Sequence, residues 1–183
     1  DCAKAPPGHW ILEGDLKQAE IFKAAELSDD PAIQSILLSG VDFHQATADM
    51  IGRTRQESKT TNFAMLYELP ELLGRLVAKR LSDSDKGIKV SYEEGQKIAD
   101  SVFGKFPRLR AWMGGVLAQA RKDGGAWTYW KGKKARFRPL WDLGAQGDHN
   151  KYRRENAERS TWNTPVQGSA ADHVTAALWE FVS

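Results

Sequence analysis

The chain is cut by cap and breaker residues into blocks of helix length. Asp29-Asp30-Pro31, Gly40, Thr54, Pro70, Pro107, Gly124-Gly125 and Pro165 are residues that start helices or stop them. Between them apolar residues recur with helical spacing. This predicts helices over 19–27 and 31–38, the second capped by Asp29 or Asp30. A third covers 44–51. Thr54 caps a fourth from 55 to about 68, which Pro70 limits. Two more run over 91–105 and 107–122 and meet at Pro107. Residues 1–8 read as an extended lead-in, and 9–12 as a short strand ending at Gly14-Asp15. Gly124-Gly125 opens an extended region with a hairpin formed by 127–130 and 136–138. A last helix or helix pair covers about 151–182, with a turn near Pro165. The fold class is α+β, mostly helical, with no repeat, low-complexity stretch or evident domain boundary.

Composition narrows the function classes. The chain is 41% apolar and 27% charged, which is globular and too apolar for a disordered chain. Its one cysteine, Cys2, allows no intrachain disulfide and no cysteine-based zinc site. No run of about 18 apolar residues suits a membrane span, and no charged-then-apolar leader opens the chain. A reducing, cytoplasmic setting is the expectation. The chain starts at Asp1 and stops inside a helical pattern, so it reads as a piece of a longer protein.

The net charge of +2 is unevenly spread. From Lys105 to Ser160 there are 14 Lys and Arg against 5 Asp and Glu, a local +9, while the remainder holds 12 against 19. The basic residues alternate with Trp112, Trp127, Tyr129, Trp130, Phe137, Trp141 and Tyr152. Cations beside aromatic rings suit a polyanion with stackable bases. A solvated surface over a Trp-rich core would read the same way.

Arg55, Lys59, Phe63 and Tyr67 recur every four residues. Four residues advance a helix by about 400°, so the set forms a slowly winding stripe about 18 Å long. The cations come first, where the macrodipole is also positive. A triphosphate with a base one turn on would fit. Taken alone, such a stripe is more often an ordinary amphipathic face. Asp15 stands where a strand gives way to a helix, a good place for a Mg²⁺ ligand, although a helix N-cap is the commoner role.

Taken together, these segments resemble the family A DNA polymerases, the group of bacterial DNA polymerase I. Residues 15–21, Asp-Leu-Lys-Gln-Ala-Glu-Ile, look like motif A. Arg55-x3-Lys59-x3-Phe63-x3-Tyr67 looks like motif B. Gly40-Val41-Asp42-Phe43-His44 is similar to the family's Gly-x-Asp-Ile-His stretch. Residues 106–112 resemble its Phe-Pro-x-x-Arg segment. Arg159-x3-Asn163-x-Pro165-Val166-Gln167-Gly168 matches its Asn-x-Pro-x-Gln-Gly segment. The matches occur in family order, from about residue 9 to the end.

The resemblance implies template-directed DNA synthesis on primer–template DNA from deoxynucleoside triphosphates, with two Mg²⁺ ions. It implies that Asp15 and the backbone carbonyl of Leu16 bind metal. Asp15, Lys59 and Arg55 would carry catalysis. Gln18, Glu20, His44, Arg55, Lys59, Phe63 and Tyr67 would form the nucleotide site. There Glu20 gates the ribose 2′ position, His44, Arg55 and Lys59 hold the triphosphate, and Phe63 stacks on the incoming base and sugar. Tyr67 would plug the template position while the fingers are open. Arg159, Asn163 and Gln167 would contact DNA. The implied layout is palm strand and motif A in 1–30, fingers in 31–125, and a basic hairpin with the return to the palm in 126–183. The family's second metal-binding aspartate, in motif C, and its thumb and exonuclease are expected outside these 183 residues.

Lys17, Phe22 and Glu68 depart from the family pattern, in which Ser, Arg and Gly are usual. They point to a divergent branch, viral or phage. Glu68 also raises the expectation of an altered helix end and of a carboxylate that repels template phosphate. The alternative reading is a polymerase-like module that binds nucleic acid without catalysis; a plain helical interaction domain would bind neither Mg²⁺ nor nucleotide.

Overall fold

A computed structural model of the chain describes residues 4–11, 16–68, 72–84 and 89–182. Helices α1 (Ala19–Ser28), α2 (Pro31–Leu38), α3 (Phe43–Ile51), α4 (Arg55–Tyr67), α5 (Leu73–Ser84), α6 (Tyr92–Lys105) and α7 (Pro107–Asp123) come first. The hairpin β1 (Gly125–Trp130) and β2 (Lys133–Pro139) follows, then two 3₁₀ turns, α8 (Lys151–Asn163), a π-helical segment (Thr164–Gly168) and α9 (Ser169–Val182). The mostly helical α+β expectation holds.

The core forms where α1 to α7 converge on the end of α8, around Ile33, Phe43, Val102, Phe106, Leu109 and Trp162. A smaller cluster of Ala120, Ala126, Leu140, Leu143 and Ala157 sits under the hairpin. The turn between the strands is Lys131-Gly132, both at positive φ (48° and 75°), as a tight two-residue hairpin requires. The hairpin docks on α9, where Tyr129 N–H donates to Ser169 Oγ at 2.7 Å.

Asp30, not Asp29, caps α2, and it caps a second helix as well. Its Oδ1 accepts from the N–H groups of Ala32 (3.0 Å) and Ile33 (3.4 Å). Its Oδ2 accepts from those of Arg108 (3.0 Å) and Leu109 (3.1 Å) at the start of α7. One fully buried carboxylate thus satisfies four otherwise orphaned donors. Asp30→Ala should destabilise the fold by about 2 kcal/mol, two caps' worth, measured by chemical denaturation of the intact protein. Asp30→Asn, which keeps one good acceptor, should lose less. An unchanged midpoint in Asp30→Ala would show that water replaces the caps.

Three expectations need correction. Residues 9–11 form no strand: Trp10 is 94% exposed, and the described sheet contains only β1 and β2. With no neighbour to bond, an extended segment gains nothing from being a strand. The rest of that expected strand, Leu12, lies outside the described residues, with Gly14 and Asp15. Near Pro165 the chain does not turn. It stays helical by widening into a π segment, with Ser169 N–H bonded to the carbonyls of Pro165 and Val166. The wider turn accommodates a proline that cannot donate in the regular ladder. Finally, α5 stands where the cap and breaker pattern marks no helix. Leu73, Val77 and Leu81 are its buried stripe, and their spacing of four is the available signal; Gly74 and the charged flanks mask it.

Candidate active site

The stripe on α4 exists as expected, opened by a complete capping box. Thr54 accepts from Glu57 N–H, and the Glu57 carboxylate accepts from Thr54 N–H. Phe63 and Tyr67 stack with ring centroids 6.0 Å apart and planes 9° from parallel. Lys59 Nζ lies 6.0 Å from the Phe63 centroid. His44, from α3, brings its ring to 5.7 Å from Phe63. Lys59 makes no ion pair with a described residue. It lines a cleft of about 370 Å³ with Phe63, Gln56, Thr60 and two residues of α5, Arg80 and Asp83.

Arg55 is differently placed. Its Nε and Nη2 donate to the two oxygens of Asp42 at 3.0 and 2.9 Å. Gln18 donates to the same carboxylate at 3.1 Å. Arg55's hydrogen bonds hold the Asp42 carboxyl down at about 2, with help from Gln45 N–H at the α3 N-cap. Two of the expected nucleotide ligands therefore converge on Asp42, a residue to which the motifs alone assign no role. The signal is its place two before His44, where a helix N-cap also stands.

Glu20, Tyr67 and Gln167 come together from α1, α4 and the π segment. Glu20 and Gln167 both act on the Tyr67 hydroxyl: burial first, and then Glu20, push its pKa up to about 12, against the opposite pull of Gln167. Tyr67 thus keeps its proton at neutral pH. Glu20 and Gln167 line one cleft of about 340 Å³ with Leu16, Ala19, Ala170, Ala171 and Val174. Gly168 beside them is needed for packing: a Cβ there would stand 2.5 Å from Thr128 Cγ2 on β1.

The residues expected to contact DNA are less uniform. Arg159 donates to Glu68 Oε1 at 2.5 Å and to Asn156 Oδ1 at 2.6 Å. Asn163 is half-buried at the end of α8, its Oδ1 without a partner. Every residue of β2 is exposed. In the basic stretch Asp123, Asp142, Glu155 and Glu158 are ion-paired, whereas Lys131, Lys133 and Arg138 pair with no described carboxylate. Lys134 lies 5.0 Å from the Trp127 ring centroid and Lys131 5.7 Å from that of Trp130. The alternation of cations and rings is therefore real local contact on the hairpin.

The family model for DNA polymerase family A matches residues 1–183. The chain belongs to DNA polymerase family A. It is 34% identical over 179 residues to the thermostable DNA polymerase I of Thermus aquaticus, covering 92% of this chain and 20% of that protein. It is 30% identical over 183 residues to DNA polymerase I of Deinococcus radiodurans, covering 95% and 17%. Among solved structures it resembles the POL domain of Pol1 from M. smegmatis in complex with DNA primer-template and dNTP. The TM-score is 0.73 at 29% identity, over 87% of this chain and 27% of that one. The chain thus spans about one fifth of the length of the relatives it matches. These relatives are bacterial and lend the viral expectation no support.

The departures from the family A pattern now have physical surroundings. Glu68 ends α4 in an extended conformation (φ −118°) rather than a left-handed one, so no glycine is required there. Its carboxylate is bound to Arg159, so it is no bare charge facing a template. Lys17 and Phe22 line an apolar cleft of about 340 Å³ with Leu16, Ala19, Lys23, Ala170 and His173. As for metal, Asp15 lies outside the described residues, among which no group of three His, Cys, Asp or Glu is gathered. The available donors fit a hard cation in type: a carboxylate, and the main chain of Leu16, a residue 51% exposed on the Glu20–Gln167 cleft. No described helix is long and apolar enough to cross a membrane.

Proposed function

We propose that this chain is the nucleotide-selecting part of a DNA-directed DNA polymerase that extends a primer from deoxynucleoside triphosphates. Residues 1–30 supply the motif A part of the palm, 31–125 the fingers, and 126–183 the basic hairpin and the return to the palm. The observation that carries this reading is the meeting of Glu20, Tyr67 and Gln167 beside the Phe63 stripe, since it unites three separate motifs in one place.

The primer 3′-hydroxyl attacks the α-phosphate; a new O–P bond forms as the bond to pyrophosphate breaks. Lys59, which pairs with no carboxylate among the described residues, meets the triphosphate, and Arg55 joins it by exchanging Asp42 for phosphate oxygens. His44 adds one N–H. Phe63 covers the base and sugar. Glu20, beside the Tyr67 hydroxyl, occupies the space that a ribose 2′-hydroxyl would need. Gln167 reaches minor-groove acceptors common to all base pairs, and Lys131, Lys133 and Arg138 meet backbone phosphate. Asp15 and the Leu16 carbonyl would hold Mg²⁺, which would supply activation of the attacking hydroxyl and stabilisation of the leaving oxygens. The setting is the cytoplasm.

The test is primer extension by the intact protein with ribo- and deoxynucleotides in competition. Glu20→Ala should lower discrimination against ribonucleotides by about 10- to 100-fold, as expected for a steric exclusion of about 1–3 kcal/mol. Deoxynucleotide use should continue. An unchanged ratio would remove Glu20 from the sugar site.

A further inference from the structure

Beneath the stripe lies a closed polar network that the expected roles leave unexplained. His44 is only 5% exposed, and Thr47, Ser58 and Asn62 are fully buried. Thr47 Oγ1 lies 2.8 Å from the carbonyl of Phe43 and 3.2 Å from that of His44, one turn back, and its single proton goes to these acceptor-only oxygens. The same oxygen lies 2.6 Å from Ser58 Oγ and 2.7 Å from Asn62 Nδ2. Having spent its proton, it accepts from both.

This decides the orientation of the Asn62 amide. Its nitrogen faces Thr47 and, at 3.0 Å, His44 Nδ1. Its Oδ1 is buried with no partner among the described residues. Turning the amide over would put two N–H donors where the oxygen now has nothing to bond. Burying an NH₂ group with both protons unmet costs more than burying one unmet carbonyl. The amide therefore presents N–H to His44, and Nδ1 must be an acceptor. The ring proton is then on Nε2, which bonds no described residue.

We propose that Asn62 is a positioning residue that holds His44 as the neutral Nε2–H tautomer, so that its free N–H is offered to a nucleotide phosphate. This rests on the reading of His44 as a triphosphate contact. The surroundings act in the same direction. Burial, Arg55 and Lys59 push the His44 pKa down, and only Asp42 pushes it up. Those three are the charged groups that act on the ring, one at the N-cap of its own helix and two from α4; α2 and α6, also packed on α3, present none to it. A protonated Nδ1 would face the Asn62 N–H donor to donor. His44 thus contributes a directed hydrogen bond, while Lys59 and Arg55 contribute the charge.

The test measures the apparent Kd for deoxynucleotide in single-turnover extension by the intact protein, between pH 5 and 8.5. Values are compared with wild type at each pH, which cancels the titration of the nucleotide itself. Asn62→Ala should weaken nucleotide binding about five- to tenfold at pH 8, the value of one directed hydrogen bond. The penalty should shrink only as the pH falls below the lowered pKa of His44, where a released ring protonates and carries N–H on both nitrogens. The near-isosteric Asn62→Asp turns an acceptor to Nδ1 and should show the same trend more steeply. In a His44→Gln background the amide donor needs no tautomer, so adding Asn62→Ala should change the Kd less than twofold. Primer–template affinity reports that each variant is folded; if Asn62→Ala fails this control, Asn62→Asp decides. A penalty that is independent of pH, and as large in the His44→Gln background, would overturn the proposal and leave Asn62 a packing residue. No penalty in either variant would overturn it too. If His44→Ala itself leaves the Kd unchanged, the underlying assignment of His44 has failed instead.

Discussion

Asp15→Ala in the intact protein should abolish primer extension while leaving primer–template affinity within a few-fold. Asp15 is assigned to metal and to no DNA contact. Losing its carboxylate removes several kcal/mol of charge stabilisation where the attacking and leaving oxygens develop charge. A loss of about 4 kcal/mol is about a thousandfold in rate. Asp15→Asn should fare little better, since a neutral amide is a poor partner for a divalent cation. The measurement pairs a single-turnover extension assay with a binding titration on the same primer–template. Extension at the wild-type rate would remove Asp15 from the reaction, and with it the motif A assignment.

Lys59→Ala should lower kcat/KM for deoxynucleotides by about ten- to a hundredfold. A charge-assisted hydrogen bond to phosphate is worth about 1.5–3 kcal/mol. The structure makes Lys59 a stronger candidate than Arg55 for a large effect. Lys59 has no carboxylate partner among the described residues, and its Nζ already lies along the edge of the Phe63 site. Arg55 already commits two of its five N–H donors, and its charge, to Asp42, so part of its gain on binding phosphate is cancelled. Arg55→Ala should therefore cost less than Lys59→Ala. Steady-state kinetics over a range of nucleotide concentration will rank the two. The reverse order would mean that Asp42 delivers Arg55 to the nucleotide rather than competing for it.

Much of this site is legible in the residues themselves. Thr54, Asp30 and Ser91 are caps whose side chains bond N–H groups two or three residues away. The stripe of Arg55, Lys59, Phe63 and Tyr67 needs only the helical period. The five motifs in family order bring in Asp15, Glu20, His44 and Gln167. The helix α5 is also there to be read, in the spacing of Leu73, Val77 and Leu81, but Gly74 and Pro70 suggest a loop.

What the sequence determined by itself was local: where helices start, which faces are apolar, and which family the motif order belongs to. These depend on groups within about one helical turn, or on spacing along the chain, and both are written directly in the residues. The tertiary structure alone decided the pairings. Glu68 meets Arg159 across 91 positions, Asp30 reaches Arg108 across 78, and Gln18 meets Asp42 across 24. It also decided that Asn62 would face His44 and Thr47 rather than solvent, and that Pro165 would widen a helix instead of ending it. A side chain's chemistry says what it can bond. Which partner it finds depends on how helices distant in the chain cross, and burial then makes that partner obligatory, because a polar group out of water with none costs more than the bond itself is worth.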